Sequence, residues 1–533
     1  MKLNYAKTIE KWGIFEVTVS GPKEGNPFCD QWIKGTFCCK NEKKTVDGFY
    51  DGDGVYKVRF MPSFTDEYTF EIEASFDINM GEEVPEHKLG IADGGKEAEK
   101  YVVRNMLTGS FTVTSPSADN HGPVRVAGTY YLAYEDGTPY HCIGTTCYVW
   151  NLQNEELQKQ TLKTLEENAF NKIRFCIFPK HYDYNLHEPI TYPYEGTPCD
   201  SSVLNENNFA EYNGCAPGND WDFTRFNPAH FQHIEKCIQA LMNLGIEADL
   251  IVMHPYDRWG FSMMKAEDDD RYWKYVLARF SAYRNVWWSL ANEYDLMHEK
   301  TLSDWERYAG IICEKDPYHH LRSIHNCKAY YDYNLPWITH CSIQRTETYR
   351  SSELVNEWRE KYHKPVVLDE ICYEGNIQFG WGNISGEEMT RRFWEAFCRG
   401  GYPGHGETYL SPDRILWWSH GGVLHGTSPE RIRFLAKIME ETPGLGVEPM
   451  PCKWDEVACR AAGFPARKDY FIYYYSFMRP GFRDFYFDDT TEYQVEIIDT
   501  WEMTITDGGI HKGKFRVQLP GKEYMAVRLR VAK

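Results

Sequence analysis

Between about Gly128 and Gly444, short apolar runs alternate with segments of helical spacing, and this alternation constrains the fold more than any other feature. The runs predicted to be strands are His141–Thr146, Lys172–Phe178, Ala248–Met253, Val286–Ala291, Arg322–His325, Ile338–Gln344, Pro365–Glu370 and Ile415–Ser419. The segments predicted to be helices are Glu155–Glu167, His230–Leu244, Asp270–Tyr283, Ser303–Glu314, Glu353–Tyr362, Glu387–Cys398 and Pro429–Glu441. Repeated strand–helix units over a span of this length predict a (β/α)8 TIM barrel. An open doubly wound sheet is the alternative, but no glycine-rich phosphate turn follows any of the strands.

The sequence on either side of the barrel is typical of β structure. From about Lys11 to Ile78, apolar and polar residues alternate, and Asp51–Gly54 reads as a hairpin turn rather than a calcium loop, because the glutamate that would complete a calcium loop is missing. A polar stretch, Asn79–Lys100, follows. Short strands also follow Pro443. We therefore expect an α/β chain with an N-terminal β-sandwich and linker at 1–122, the catalytic barrel at 123–444 and a small C-terminal β-sandwich domain at 445–533.

Charge and composition exclude several functions. A net charge of −20 opposes binding to nucleic acid or to an anionic membrane. The N-terminus lacks the apolar core of a secretory signal, which predicts a cytoplasmic protein in which the sixteen cysteines are reduced. No cofactor and no metal are expected. His405, His420 and His425 lie in glycine-rich sequence with no acidic partner at ligand spacing, so a mobile loop explains them better than a metal site.

Two glutamates end predicted strands on opposite sides of the barrel. Glu293 follows strand four and Glu370 ends strand seven. Functional side chains of this fold come from the carboxyl ends of the strands. Hydrolysis of a glycosidic bond needs two carboxyl groups, one to protonate the leaving oxygen and one to attack the anomeric carbon or to activate water. The pair therefore predicts a glycoside hydrolase. Glu407 is kept as a reserve candidate for either role.

The sequence Ser289–Glu293 resembles the Asn-Glu motif of clan A glycoside hydrolases. The resemblance implies a retaining enzyme in which Glu293 is the acid/base and Glu370 the nucleophile. It also implies that Asn292 binds the sugar 2-hydroxyl group and that Arg174, on strand two, lies beneath the nucleophile. A cation at that position would keep Glu370 ionised.

More narrowly, the chain resembles the apiosidase-like glycosidases over nearly its whole length. That family often carries an N-terminal β-sandwich with the motif found here as Gly48–Gly54, and a C-terminal β-domain that contains Ile498–Trp501. The resemblance implies a carbohydrate substrate. A β-linked or furanosidic plant-type glycoside or oligosaccharide, such as a β-D-apioside, cleaved by exo-action, is the leading prediction. A non-catalytic carbohydrate-binding protein and a transglycosylase that uses the same glutamates stay open. The β-domains are expected to serve structure and homo-oligomerisation.

Other residues at predicted strand ends could contact the substrate. The candidates for hydroxyl binding or ring stacking are His181, His254, Asp257, Trp259, Gln344, Trp417, Trp418 and Trp150. For most of them, loop packing is an equally good explanation. If Ile415–Ser419 is a strand, only one of Trp417 and Trp418 faces the barrel axis. By the same alternation, Asp369 should point away from the axis, because Glu370 points toward it.

Overall fold

A barrel of eight parallel strands forms the centre of the computed structural model, which describes residues 5–78 and 106–532. In chain order, the strands are Gly144–Thr146, Lys172–Cys176, Glu247–Met253, Val286–Ala291, Arg322–Ser323, Cys341–Gln344, Val366–Glu370 and Tyr402–His405. Strand one pairs with strands two and eight, and a parallel bridge between His325 and Ser342 joins strand five to strand six. The sheet is therefore closed, and the predicted (β/α)8 fold is confirmed.

The eighth strand lies where the sequence analysis did not place it. Tyr402–His405 pairs with strand seven on one side and strand one on the other, whereas Ile415 and Leu416 are loop and Trp417–His420 is a helical turn. The prediction missed the true strand because Pro403 and Gly404 are poor strand formers. Gly404 is needed there, since a Cβ atom would lie 2.7 Å from the Leu368 carbonyl oxygen.

Helices follow the strands and form the outer layer. In the described chain, the longer ones are Glu155–Glu166, Pro228–Asn243, Ala266–Phe280, Leu302–Lys315, Val355–Tyr362, Gly386–Cys398 and Ser428–Glu440. Each overlaps one of the predicted helices. Asn154 and Ser385 cap two of them through side-chain oxygens that accept backbone N–H groups, as helix N-termini require. A hairpin of Tyr194–Thr197 and Asp220–Phe226 interrupts the path from strand two to its helix.

The N-terminal domain is a β-sandwich. Its two sheets contain the strands Thr8–Glu10, Phe15–Ser20, Ile33–Cys38, Lys43–Asp47, Phe49–Tyr50, Val55–Phe60, Glu67–Ala74 and Met106–Thr114. Alternate residues of these strands face one another across the sandwich, and Phe15 stacks on Phe111 with ring centroids 3.7 Å apart. The polar stretch predicted at Asn79–Lys100 lies outside the described residues. The hairpin of Val124–Ala127 and Tyr131–Tyr134 then covers the amino-terminal end of the barrel.

The C-terminal domain is also all β. Its strands are Val447–Pro449, Val457–Ala461, Tyr470–Tyr474, Phe482–Tyr486, Tyr493–Asp499, Thr504–His511, Lys514–Gln518 and Met525–Val531. Six of them form one antiparallel sheet, and Phe482–Tyr486 pairs with Lys514–Gln518 to form the other. Trp394, on a barrel helix, stacks against Tyr474 of this domain at 5.5 Å.

All sixteen cysteines lie in the described part of the chain, and all are unpaired. Among the described helices, none has the length and apolar character needed to span a membrane.

A buried ionic cluster docks the N-terminal sandwich on the barrel. Arg59 of the sandwich binds both carboxylate oxygens of Glu235, at 2.6 and 3.0 Å. Arg279 of the barrel binds Glu235 at 2.7 Å and reaches back to Asp51 at 2.8 Å. Asp51 belongs to the Gly48–Gly54 motif, so this motif is a turn that supplies a carboxylate to the domain interface.

We expect Glu235→Gln to destabilise the protein by about 1.5–3 kcal/mol, because it removes the carboxylate that the two buried guanidinium groups share and leaves Arg59 with Glu16 and Arg279 with Asp51 as their remaining counter-ions. The matched control is Glu73→Gln, which breaks the half-exposed Lys34–Glu73 pair and should cost less than about 1 kcal/mol. Urea unfolding followed by tryptophan fluorescence measures both. Equal shifts for the two variants would contradict a structural role for the cluster.

Candidate active site

The centre of the barrel holds a network of buried charges. Lys172 lies 2.7 Å from both Asp249 and Asp369. Arg174, one pleat above, lies 3.5 Å from Asp249, 3.8 Å from Asp369 and 3.4 Å from Glu370. All five side chains are almost completely excluded from solvent. Arg174 thus lies beneath Glu370, at the position that the resemblance implied.

Asp369 points toward the barrel axis, so the prediction that it points away is wrong. Ile343 pairs with Leu368, but the next residue, Gln344, pairs with Glu370. This register shift places two consecutive residues of strand seven opposite one residue of strand six, as in a β-bulge. Asp369 therefore faces Lys172, and Glu370 can still reach the mouth of the barrel.

Glu370 is surrounded by donors. Its Oε1 atom accepts a hydrogen bond from the Tyr148 hydroxyl group and lies 3.3 Å from His325 Nε2 and 3.4 Å from Arg174. Burial by itself would raise the pKa of Glu370, but the hydrogen bond and charge of His325, the charge of Arg174 and the Tyr148 bond outweigh burial and hold this pKa well below its ordinary value. Glu370 is therefore ionised at neutral pH.

Glu293 has the opposite environment. Burial, followed by the negative charge of Glu370, raises the pKa of Glu293, and the hydrogen bond from Tyr256 opposes this only in part. Gln344 Nε2 donates to Glu293 Oε1 at 3.0 Å. The Glu293 backbone has φ 50° and ψ 56°, a left-handed conformation that costs a non-glycine residue about 1–2 kcal/mol. This backbone turn directs the carboxyl group into the mouth of the barrel.

Asn292 connects the two glutamates. Its Oδ1 atom accepts from Arg174 at 3.2 Å and lies 3.2 Å from the Tyr148 hydroxyl oxygen, and its Nδ2 atom lies 3.3 Å from Glu293 Oε2. Because Tyr148 and Arg174 also bind Glu370, one asparagine fixes the position of both carboxyl groups.

The two glutamates face a cavity of about 420 Å³. Its lining residues are Tyr148, Lys180, Tyr182, Tyr256, Glu293, Leu296, Cys327, Lys328, Gln344, Thr346, Glu370, Tyr373, Trp381 and Trp418. Of the predicted substrate-binding residues, Gln344 and Trp418 therefore lie in its wall, while Asn292 and Arg174 lie directly behind the carboxyl groups. Trp417 is buried behind the wall, where its indole N–H group donates to Thr145 at 2.9 Å.

Besides Trp417, five other residues predicted to contact the substrate lie outside the cavity, because their side chains pack the surrounding loops. Trp150 is fully buried against Phe175. The loop residues after strands two and three are His181, His254, Asp257 and Trp259. Both imidazoles bind backbone carbonyl groups, those of Phe209 and Phe178. The Asp257 carboxylate accepts backbone N–H groups of Trp259 and Ser262.

Glu407, the reserve catalytic candidate, is not in the cavity. Its carboxylate accepts the backbone N–H groups of His425 and Gly426. Its neighbours are Glu374 and His405, and the ligand atoms of the three residues lie within 4.8 Å of one another. The sequence argument that His405 has no acidic partner is therefore wrong. The three groups could hold a metal ion. Burial, and after it the charge of Glu374, raises the pKa of Glu407 to about 8.

Sequence reasoning missed most of the cavity wall, and among the missed residues are four polar groups beside the two glutamates. Tyr148 follows strand one, Lys180 and Tyr256 follow strands two and three, and His325 continues strand five. His325 is the last residue of the run predicted as strand five, so its position at a strand end was the available signal. Tyr148 and Tyr256 had no such signal, because tyrosines in this chain are numerous and most are packed in the core.

The Apiosidase-like, catalytic domain family model matches residues 127–441. Two domains of unknown function, DUF5060 and DUF5605, match residues 8–75 and 454–530. No curated protein matches the sequence. A proposed glycoside hydrolase from Bacteroides vulgatus ATCC 8482 is 36% identical, with a TM-score of 0.86 and coverage of 99% of this chain and 100% of the other.

A glycoside hydrolase family 5 protein of the same organism is 15% identical, covers 77% of this chain and 94% of its own, and has a TM-score of 0.58, which shows the shared fold. The fold agrees with the family match. The chain belongs to the apiosidase-like family.

Proposed function

We propose that the protein is a retaining glycoside hydrolase in which Glu370 is the nucleophile and Glu293 the acid/base. The observation that carries this proposal is the pair of buried carboxyl groups that face one cavity with pKa values displaced in opposite directions. Double displacement needs one ionised and one protonated carboxyl group on either side of the scissile bond.

In the first step, Glu370 attacks the anomeric carbon while Glu293 gives its proton to the leaving oxygen. The bond from the anomeric carbon to that oxygen breaks as the bond to Glu370 forms. Formation of the ester removes the negative charge of Glu370, and the pKa of Glu293 falls because that charge was one of the causes of its elevation. Glu293 then accepts a proton from water as the water oxygen bonds to the anomeric carbon, and the ester bond to Glu370 breaks, which releases the sugar and restores the Glu370 carboxylate.

Membership of the apiosidase-like family supports a substrate that is a glycoside. We extend the proposal to exo-action on a β-linked or furanosidic plant-type glycoside, with β-D-apiosides as the first substrates to test. Support for exo-action comes from the cavity of about 420 Å³, whose aromatic wall includes Tyr182, Trp381 and Trp418.

Loss of the Glu370 carboxyl group and loss of the Glu293 carboxyl group should impair the reaction differently. Glu370→Ala should abolish turnover. Glu293→Ala should lower kcat/KM about 10²–10⁴-fold on substrates with poor leaving groups, because general acid catalysis is lost, and added azide should restore activity on aryl glycosides. Glu407→Gln, outside the cavity, is the control and should keep its activity. The assignment fails if both cavity variants turn over a confirmed substrate at the wild-type rate.

The stereochemistry of the first product tests double displacement directly. Proton NMR at early reaction times should show release of the sugar with the anomeric configuration of the substrate, because two inversions restore it. Release of the opposite anomer would mean that Glu370 activates water instead of forming an ester.

Tyr256→Phe should move the alkaline limit of kcat/KM to higher pH. The Tyr256 hydroxyl group donates to Glu293 and lowers the pKa of this acid. Its removal raises that pKa, so Glu293 stays protonated to higher pH. The control is Tyr272→Phe, because among the described residues this buried hydroxyl group binds the Val252 carbonyl oxygen alone and does not contact Glu293. A limit that stays in place or moves downward in Tyr256→Phe would refute Glu293 as the acid.

A further inference from the structure

Lys180 extends from the loop after strand two into the wall of the catalytic cavity. Its residue is only 4% exposed. The ammonium nitrogen lies 3.6 Å from the ring centroid of Tyr148 and 4.4 Å from those of Tyr256 and Trp418. The side chain is thus held in an aromatic cage that is itself part of the cavity wall.

The ammonium group of Lys180 forms no hydrogen bond and no ion pair with any described residue. The other buried lysine of the described chain, Lys172, has two carboxylates at 2.7 Å. Contacts with aromatic faces stabilise a cation by only about 0.5–2 kcal/mol, which is less than the cost of burying it. Burial accordingly lowers the pKa of Lys180 to about 8.

The two glutamates of the cavity do not supply the missing partner. Glu370 is held by Tyr148, His325 and Arg174, and Glu293 by Tyr256 and Gln344. A second cation, the exposed Lys328, also lines the cavity. In a chain of net charge −20, two lysines at one cavity make a local site to which an anion is attracted.

We propose that Lys180 binds an anionic substituent, a carboxylate or a sulfate, on the sugar whose anomeric carbon is attacked. This inference rests on the proposed glycoside hydrolase function. The sugar is identified by position, because the Tyr148 ring that contacts Lys180 carries the hydroxyl group that binds the nucleophile Glu370. Among β-linked glycosides, this inference therefore favours those in which the attacked sugar is a uronic acid or carries a sulfate over those of neutral sugars, β-D-apiosides included.

The test compares matched pairs of para-nitrophenyl glycosides that differ only in the anionic group: uronide against hexoside, and sulfated against unsulfated sugar. For the pair that the enzyme accepts, we expect a higher kcat/KM on the anionic member. Lys180→Met should reduce this preference about 100-fold, because a charge-assisted hydrogen bond is lost. Lys180→Arg should restore part of it. The control Lys437→Met, at an exposed lysine that does not line the cavity, should leave it unchanged, since solvent screens an exposed charge. The uronide and sulfate pairs separate the two anions.

The outcomes distinguish a failure of the Lys180 proposal from a failure of the hydrolase proposal. Turnover that depends on Glu370 but favours the neutral members, or an equal loss on both members in Lys180→Met, would overturn the role of Lys180 and leave the hydrolase proposal intact. If no glycoside is cleaved, the same sugars are titrated against the protein and the Lys180 side-chain NMR signal is followed. A shift with the free uronic acids or sulfated sugars, but not with neutral sugars, would uphold the anion site while the hydrolase proposal failed. No shift with any of them would overturn both.

Discussion

The site depends on the ion pairs between Lys172, Arg174 and the carboxylates of Asp249 and Asp369 in the middle of the barrel. A TIM barrel interior is usually filled by layers of branched apolar side chains. Here one layer is ionic, with two cations and two carboxylates, and removal of any member would leave an unbalanced buried charge. The arrangement therefore fixes Arg174 with little freedom. Because Arg174 also contacts Glu370, the same layer sets both the position and the charge of the proposed nucleophile.

The chemistry that we propose follows from an asymmetry between two identical side chains. Glu370 lies among donors and cations, whereas the hydrogen-bond donors to Glu293 are the neutral groups of Tyr256 and Gln344 and the charge of Glu370 lies nearby. Asn292 contacts Glu293 directly and Glu370 through Tyr148 and Arg174, so the positions of the two carboxyl groups are linked. The left-handed backbone at Glu293 belongs to the same arrangement, because a strained conformation persists where the surrounding structure fixes it.

Much of the fold could be predicted from periodicity, because apolar spacing reports which face of a helix or strand is buried. Strand eight was missed because Pro403 and Gly404 are poor strand formers, and Gly404 serves a close backbone contact that the local pattern does not reveal. The orientation of Asp369 was mispredicted since a bulge changes the alternation without a sequence signal. At the site, position at a strand end correctly predicted that Glu293, Glu370 and Gln344 line the cavity. His254 and Asp257 have equally suitable positions in the sequence, but their side chains bind backbone groups instead. Lys180 could be recognised only in the structure, where no described residue pairs with its ammonium group.

The docking of the N-terminal sandwich affects how such chains can be divided. Asp51 and Arg59 lie in the sandwich, and Glu235 and Arg279 lie on barrel helices, yet together they form one buried cluster. Excision of the barrel at its sequence boundary would expose Glu235 and Arg279 to water along with the apolar surface around them. A chimera that joins this barrel to a foreign sandwich would have to retain an aspartate and an arginine at these two places. In this chain, the sandwich or the barrel can therefore be exchanged alone only if its two members of the cluster are kept.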